Sequence, residues 1–373
     1  MKSRRWLLGA GAVLVGAADS ATPDRRLPLP AVAGLHAHGI RKGLFYGAAI
    51  DTDWLHGDPA VMTEVARECG MLVSENSFKW YELRPAADQF SFERAEMLMA
   101  FAAHQGLRVR GHALAWHLSN PDWLLDAINP ATAEKILTFH IREVVGHFRH
   151  RVTQWDVVNE AIQPDDNQPK GFRDNIWYRA LGPAYIDIAF HACASADPGA
   201  LRVLNEYGVE GVAPWQDKRR GLMLDLLADL KSRRVPVQAL GIQGHLHTQY
   251  KLDQKLLARF VDDVVAMGYR LVITEMDIND QALPSDIAMR DAGVAAMGRA
   301  FLDVMLPYPQ LLGVVTWGLS DRHSRQDGYE PRPDKLPHRP LPLDAELRRK
   351  PLWTAMQSAF DLAPRRAPIL AAP

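Results

Sequence analysis

Val152-Thr153-Gln154-Trp155-Asp156-Val157-Val158-Asn159-Glu160 is a β-branched and aromatic run that stops abruptly in an amide and a carboxyl. A loop follows, with Pro164, Asp165, Asp166, Asn167 and Pro169. Such a run bounded by chain breakers reads as a strand. In a parallel α/β barrel, catalytic groups collect at the C-terminal rim of the strands, where this one carries Asn159 and Glu160. Taken alone, Glu160 reads equally well as a solvated carboxylate ending an ordinary strand. A second stretch breaks the tie. Leu271-Val272-Ile273-Thr274-Glu275-Met276-Asp277 is also an apolar run of strand length that ends in a carboxylate. Two carboxylates delivered by separate strand ends are the minimal apparatus for cleaving a glycosidic bond. One must stay protonated to donate to the leaving oxygen, and the other must stay ionised. Held close together, two negative charges resist ionising at once, which separates their pKa values and divides the roles.

Outward from these two stretches, strands and helices alternate. Residues 44–50 read as the first strand and 61–69 as its helix; 71–74 is a short second strand ending in Glu75 and Asn76. The helix over 92–104 stops at Gly106, where a C-terminal glycine is expected, and 107–112 is the third strand. Leu137, Ile141, Val144, Val145 and Phe148 share one face of a helix over 131–148, which leads into the strand at Val152. A helix over 176–196, a fifth strand at 201–205, a helix striped by Leu222, Leu226, Leu227 and Leu230, and a sixth strand at 238–243 follow. A helix ending at Gly268 leads to the seventh strand at Leu271. The eighth lies at 312–317, and a last helix runs over 344–360. Eight such units predict a single-domain (β/α)₈ TIM barrel of the α/β class, with its site at the C-terminal ends of the strands. No glycine-rich phosphate loop follows the first strand, which counts against a dinucleotide fold. Residues 326–342, rich in Pro, Arg and Asp, read as a long surface loop.

Composition narrows the function. With 373 residues and 47% hydrophobic content, the chain can bury a large core as one domain. A formal net charge of −1 argues against a nucleic-acid surface or a polybasic membrane patch. Past the N-terminus no stretch approaches the ~18 apolar residues of a membrane span. Cys69 and Cys193 are too few for a disulfide framework and read as small buried hydrophobes. Lys2, Arg4 and Arg5 precede an apolar segment from Trp6 to Ala18, the layout of an export signal. Ser3-Arg4-Arg5-Trp6-Leu7-Leu8 has a twin-arginine look. The expected division is an export signal over 1–25, the barrel over 40–362 and a C-terminal tail over 363–373. The product is an exported, periplasmic or extracellular monomer that in mature form engages no membrane and no nucleic acid.

The barrel rim would then receive Glu75, Asn76, Lys79 and Trp80, then His112, Trp116 and His117, then Asn159 and Glu160. Asn205, Tyr207, Gln243, His245, Glu275, Asp277 and Trp317 complete it. Sugars need paired amides, charged hydrogen-bond partners and flat aromatic faces, and Asn, Gln, His, Lys and Trp supply them. By this point the residues resemble glycoside hydrolase family 10, the endo-1,4-β-xylanases. The likeness rests on Glu75-Asn76-x-x-Lys79-Trp80, Arg110-Gly111-His112-x-Leu114-x-Trp116-His117, Trp155 to Glu160, Gly241-x-Gln243-Gly244-His245 and Ile273 to Asp277. Val315-Thr316-Trp317-Gly318 with Asp321 and Ser324, and Lys350-Pro351, extend it. The resemblance covers roughly residues 40 to 360 and implies a retaining enzyme needing no metal or cofactor, with xylan or xylo-oligosaccharide as substrate. It makes Glu160 the acid/base and Glu275 the nucleophile. Asn159 would bind the sugar 2-hydroxyl and His245 would hold Glu275 ionised. Glu75, Asn76 and Lys79 would bind the next sugar on the non-reducing side. His112, Trp116, Gln243 and Trp317 would line the sugar being cleaved, and Tyr207 would face the leaving group. Trp80, Trp123 and Trp155 are expected to pack rather than bind.

Two positions depart from the family pattern. Arg325 stands where a tryptophan is usual and Gly208 where an asparagine is usual, which puts affinity and preferred chain length in question. Three rivals compete with this reading. His245-Leu246-His247 with His112 and His117 has the spacing of a zinc hydrolase. A xylan-binding protein without turnover would have lost Glu160 or Glu275, and both are present. A retaining β-1,4-glucanase, or a mixed xylanase/cellobiohydrolase, on the same barrel differs only in whether the site excludes a 6-hydroxymethyl group.

Overall fold

The structure, a computed structural model, describes residues 33–367; the expected export signal and residues 368–373 lie outside them. Eight strands form the barrel: β1 (Phe45–Ile50), β2 (Met71–Ser74), β3 (Arg108–Ala115), β4 (Val152–Asn159), β5 (Leu201–Glu206), β6 (Ala239–Ile242), β7 (Arg270–Asn279) and β8 (Leu311–Thr316). Each pairs in parallel with its neighbours in chain order, and β8 closes the ring on β1. The fold is the closed (β/α)₈ barrel that the alternation of elements predicts. Inside the barrel Phe45, Ala49, Met71, Val73, Val203, Val272 and Val315 form one apolar cluster; a larger one lies between the strands and the helices. Side chains alternate across each strand, so each strand feeds both layers. Among the described residues no helix is long and apolar enough to cross a membrane. Both cysteines are buried and unpaired.

Local chemistry sets the helix ends. Asp253 accepts the amides of Lys255 and Leu256, each at 3.0 Å, and Asp286 accepts that of Met289 at 2.9 Å, N-caps that satisfy donors no helix turn can reach. Gly106, at φ +67°, ends the helix Glu93–Gln105 as expected.

Several boundaries differ from the sequence reading, each for a visible reason. The helix expected over 176–196 is two helices, Ile176–Leu181 and Ala184–Ala196. Gly182 takes a positive φ, and Pro183 has no N–H to continue the first. The last helix starts at Pro351 rather than Asp344, because the Asp344 carboxyl accepts the amides of Glu346 and Arg348 and folds that stretch into a turn. The sixth strand stops at Ile242, and His245–His247 forms a separate short strand on the end of β7. Residues 326–342 are not simply a surface loop: Arg332 and His338 are buried in it, and a helical turn, Gln326–Tyr329, opens it. At the bottom of the barrel the helix Leu35–Ile40 packs ahead of β1, and Arg366 donates to the carbonyls of Tyr308 and Leu311.

Candidate active site

A cavity of about 690 Å³ opens at the C-terminal ends of the strands. Glu75, Asn76, Lys79, His112, Trp116, Asn159, Glu160, Tyr207, Gln243, His245, Glu275 and Trp317 all line it. Trp80 and Trp155 are buried. Trp80 stacks on His140 with ring centroids 3.5 Å apart, and Trp123 donates to the Arg84 carbonyl, so these three tryptophans are packing.

Asn205, next to the C-terminal end of β5, is the hub. Its Nδ2 donates to Glu275 Oε1 at 2.7 Å and to Asn159 Oδ1 at 2.8 Å, while its Oδ1 accepts from Thr274 Oγ1 at 2.7 Å. Gly241 makes room for it: a Cβ at that position would stand 2.3 Å from Asn205 Oδ1. The two carboxylates are thus tied through one short chain of amides, Glu275–Asn205–Asn159–Glu160, whose last link is Asn159 Nδ2 donating to Glu160 Oε1 at 3.1 Å.

Glu275 is 4% exposed. Burial pushes its carboxyl up, but a hydrogen bond from His245 and the charges of His112, His245 and Arg325 outweigh it and hold it at about 2. His245 stands between two acids, Nε2 3.2 Å from Glu275 Oε2 and Nδ1 2.7 Å from Asp277 Oδ1. Burial and Arg325 press its pKa down, yet Asp277 and Glu275 raise it to about 9, so it carries a proton and donates to both. Gln326 Nε2 donates to the other Asp277 oxygen at 3.0 Å, and Arg325 Nε lies 3.5 Å from it.

Glu160 is held differently. Its φ is +58°, a left-handed conformation that costs a non-glycine residue about 1–2 kcal/mol. Two backbone hydrogen bonds fix it there. Its N–H donates to the Asn205 carbonyl at 2.9 Å, and its carbonyl accepts from Arg173 Nε at 2.8 Å. The carboxyl points into the cavity with Gln243 Nε2 donating to Oε1 at 3.2 Å; Oε2 is 3.5 Å from His117 Nδ1 and 3.7 Å from an Arg173 Nη. Burial and the Arg173 charge lower His117 to about 4, leaving that ring neutral beside the acid at neutral pH.

On the β2 side Lys79 Nζ donates to Asn76 Oδ1 at 3.2 Å, and Asn76 Nδ2 to Asp51 at 2.7 Å. Burial and Asp51 raise Glu75 to about 7, against the pull of Lys79 and Arg325. Trp317 stands edge-on to His112 at 5.3 Å, forming a wall beside Glu275.

His112, Asp156 and Glu275 place ligand-type atoms within 4.8 Å of one another. Yet Asp156 spends both oxygens, one on the buried Arg110 guanidinium and one on His112 Nδ1 at 2.9 Å. With His245 protonated between two acids as well, this donor set does not fit a divalent cation.

One contributor was missed at the sequence level, and two were placed on the rim without their roles. Arg173 sits in an irregular loop where no periodicity marks it, and its role follows only from the path of residues 161–175. Asn205 was visible on the rim, but nothing in the sequence makes it the bridge. Asp277 ends the same run as Glu275, and only the fold turns it toward His245.

A sequence model of glycosyl hydrolase family 10 matches residues 34–359. Endo-1,4-beta-xylanase B of Thermotoga neapolitana is 31% identical over 76% of this chain and 79% of its own length. Endo-1,4-beta-xylanase 5 of Pyricularia oryzae is 30% identical over 91% of this chain and 82% of its own. The crystal structure of native xylanase 10B from Thermotoga maritima superposes with a TM-score of 0.81 at 27% identity, covering 88% of this chain and 98% of that one.

Proposed function

Because the chain belongs to glycosyl hydrolase family 10, we propose that it is an endo-1,4-β-xylanase acting with retention of configuration, Glu275 as nucleophile and Glu160 as acid/base. The observation that carries this reading is the pair of carboxylates joined through Asn205 and Asn159 at one cavity, with the protonated His245 against Glu275 and the neutral His117 beside Glu160. Glu275 is kept ionised by His245 and is ready to attack the anomeric carbon. Glu160, with neutral His117 at its side, gives its proton to the leaving glycosidic oxygen. The C–O bond to the leaving sugar breaks as the Glu275–C1 bond forms. Water then attacks C1 while Glu160 takes its proton and the Glu275–C1 bond breaks, so Glu275 returns as a carboxylate and the sugar leaves with its original β configuration. Asn159 faces the 2-hydroxyl, where a contact strengthens as the ring flattens. Glu75, Asn76 and Lys79 bind the next sugar on the non-reducing side. His112, Trp116, Gln243 and Trp317 enclose the sugar being cleaved, and Tyr207 faces the leaving group.

The same reading makes xylan or xylo-oligosaccharide the substrate of a monomer, with the barrel over 40–362. The arginine pair Arg4-Arg5 ahead of its apolar segment supports export by the twin-arginine route to the periplasm or beyond.

The test is hydrolysis of xylan against carboxymethylcellulose, with the first-formed anomer read by proton NMR. Faster hydrolysis of xylan with the β anomer appearing first is expected. A preference for carboxymethylcellulose would favour the glucanase, and an initial α anomer would remove the double displacement.

A further inference from the structure

Opposite Glu75 and Lys79, the cavity wall changes character. In a closed ring of eight strands β2 and β6 are diametrically opposed, and on the far side the wall is built from the segments that follow β5 and β6. There Tyr207, Trp215 and Tyr250 line the cavity together. Trp215 is 39% exposed, a large apolar face left open at this side of the mouth. Its indole centroid is 6.5 Å from the Tyr207 ring and 6.3 Å from that of Tyr250.

The indole is seated there rather than loose. Trp215 lies in the first turn of the helix Pro214–Ser232, whose Gln216 side chain accepts the Ala213 amide at 3.1 Å. Gly208 supplies the seat. At φ +70° it has no side chain, and a Cβ there would stand 2.3 Å from the indole Cζ3. Any larger residue at 208 would evict the ring. Tyr207 is fixed from beneath: the Arg219 guanidinium lies 3.9 Å from its ring centroid, and Arg173 donates to its hydroxyl at 3.1 Å. The removed side chain at 208 and the aromatic ring at 215 are therefore two halves of one arrangement.

We propose that Trp215, seated on Gly208 and flanked by Tyr250, is a stacking platform for a second pyranose on the leaving-group side, one sugar beyond Tyr207. Pyranose rings present flat C–H faces that pack on aromatic rings, and a platform of this kind is indifferent to hydroxyl pattern. The inference rests on the reading of Glu160 and Glu275 as the cleavage site, since it counts sugars outward from there. It makes the enzyme prefer substrates that extend at least two residues past the scissile bond.

Trp215→Ala in the full-length enzyme tests it, with xylohexaose and an aryl β-xylobioside compared side by side. The aryl substrate places only a phenol beyond the scissile bond and does not reach residue 215. Loss of the platform should lower kcat/KM on xylohexaose roughly 2- to 10-fold and move the preferred cleavage point, with the aryl xylobioside unchanged. Trp215→Phe should restore most of the loss. Trp215→Leu, which keeps apolar bulk without an aromatic face, should behave like the alanine variant. Equal losses on both substrates, or full activity of the leucine variant on xylohexaose, would show that the indole only packs the loop. If the wild-type enzyme cleaves the aryl xylobioside and xylohexaose normally while the variants match it, this proposal fails and the proposed function stands. A wild-type enzyme inert on both substrates would sink the function itself.

Discussion

Glu160 and Glu275 carry the same functional group, and their neighbours set them to different tasks. The Glu275 carboxyl is buried against a protonated histidine, so its charge persists far below neutral pH. Glu275→Ala should abolish turnover on every glycoside, because no other group forms the bond to C1. Glu160→Ala should lose about 10²–10⁴-fold on xylan, the usual share of a general acid. It should keep far more activity on aryl glycosides whose phenols leave without a proton, and added azide should rescue it. Equal and unrescued losses in both variants would contradict the division of roles. His245 gives a separate test by pH. Replacing it with Gln removes the cation that holds Glu275 near 2, so that pKa rises toward the ordinary 4.5. Glu275 acts only when ionised, so the acidic limb of kcat/KM should move to higher pH. An unmoved limb would exclude His245 from that role. Both acids were readable because each ends a β-branched run; the left-handed backbone of Glu160 and its Arg173 anchor were not, since neither leaves a periodic trace.

At the level of elements, the order of strands and helices was plain in the sequence because hydrophobic period and glycine stops agree with the barrel. Misread boundaries cluster where side chains compete with the backbone. The Asp344 carboxyl captured two amides and delayed a helix, and Gly182-Pro183 broke another. Gly241 shows a deeper limit. Its motif was legible, but its physical reason is a close approach between β5 and β6 that lets Asn205 reach Glu275. Gly241→Ala forces that amide aside, since the new Cβ would sit 2.3 Å from Asn205 Oδ1. Overpacking of this kind costs about 1–3 kcal/mol of stability, which a barrel of this size should tolerate. A displaced positioning group costs far more in rate, about 10²-fold for a shift near 1 Å. The variant should therefore fold with an unchanged far-ultraviolet spectrum and show kcat reduced on that scale. Full activity would mean that the Asn205 bridge is dispensable.

Across the whole molecule, the segment 326–342 ties the rim of the barrel to its outer helices. It starts at Gln326, which braces Asp277 beside the site, and it is clamped further along by one buried acid. Asp280, just past β7, accepts from Arg290 Nε at 2.7 Å and pairs with His338 Nδ1 at 2.7 Å, with an Arg332 Nη 3.5 Å away. Composition pointed to solvent here, because Arg and Asp are surface residues unless paired; Arg332 and His338 meet Asp280 across 52 and 58 residues of chain, which no local pattern shows. Burial pushes Asp280 up, but His338 and Arg290 hold it at about 2, below its ordinary 3.8. A depressed carboxylate stabilises the fold above 3.8, and that contribution is lost as pH falls through about 2. Burial lowers His338, but Asp280 and the Glu330 carbonyl raise it overall, so its share is complete below 6.5 and fades as pH rises through its folded value. The clamp is therefore strongest between roughly pH 4 and 6.5. Asp280→Asn leaves Arg290 and His338 buried without their counter-charge, a loss of about 3–5 kcal/mol for a broken buried pair. Thermal unfolding followed from pH 2 to 8 should show the largest gap between variant and wild type near pH 5, closing toward pH 2. Because the same segment carries Gln326, KM for xylan should rise in the variant at pH 5 as well. A gap that stays constant across the whole range would mean that Asp280 acts through packing and not through its charge.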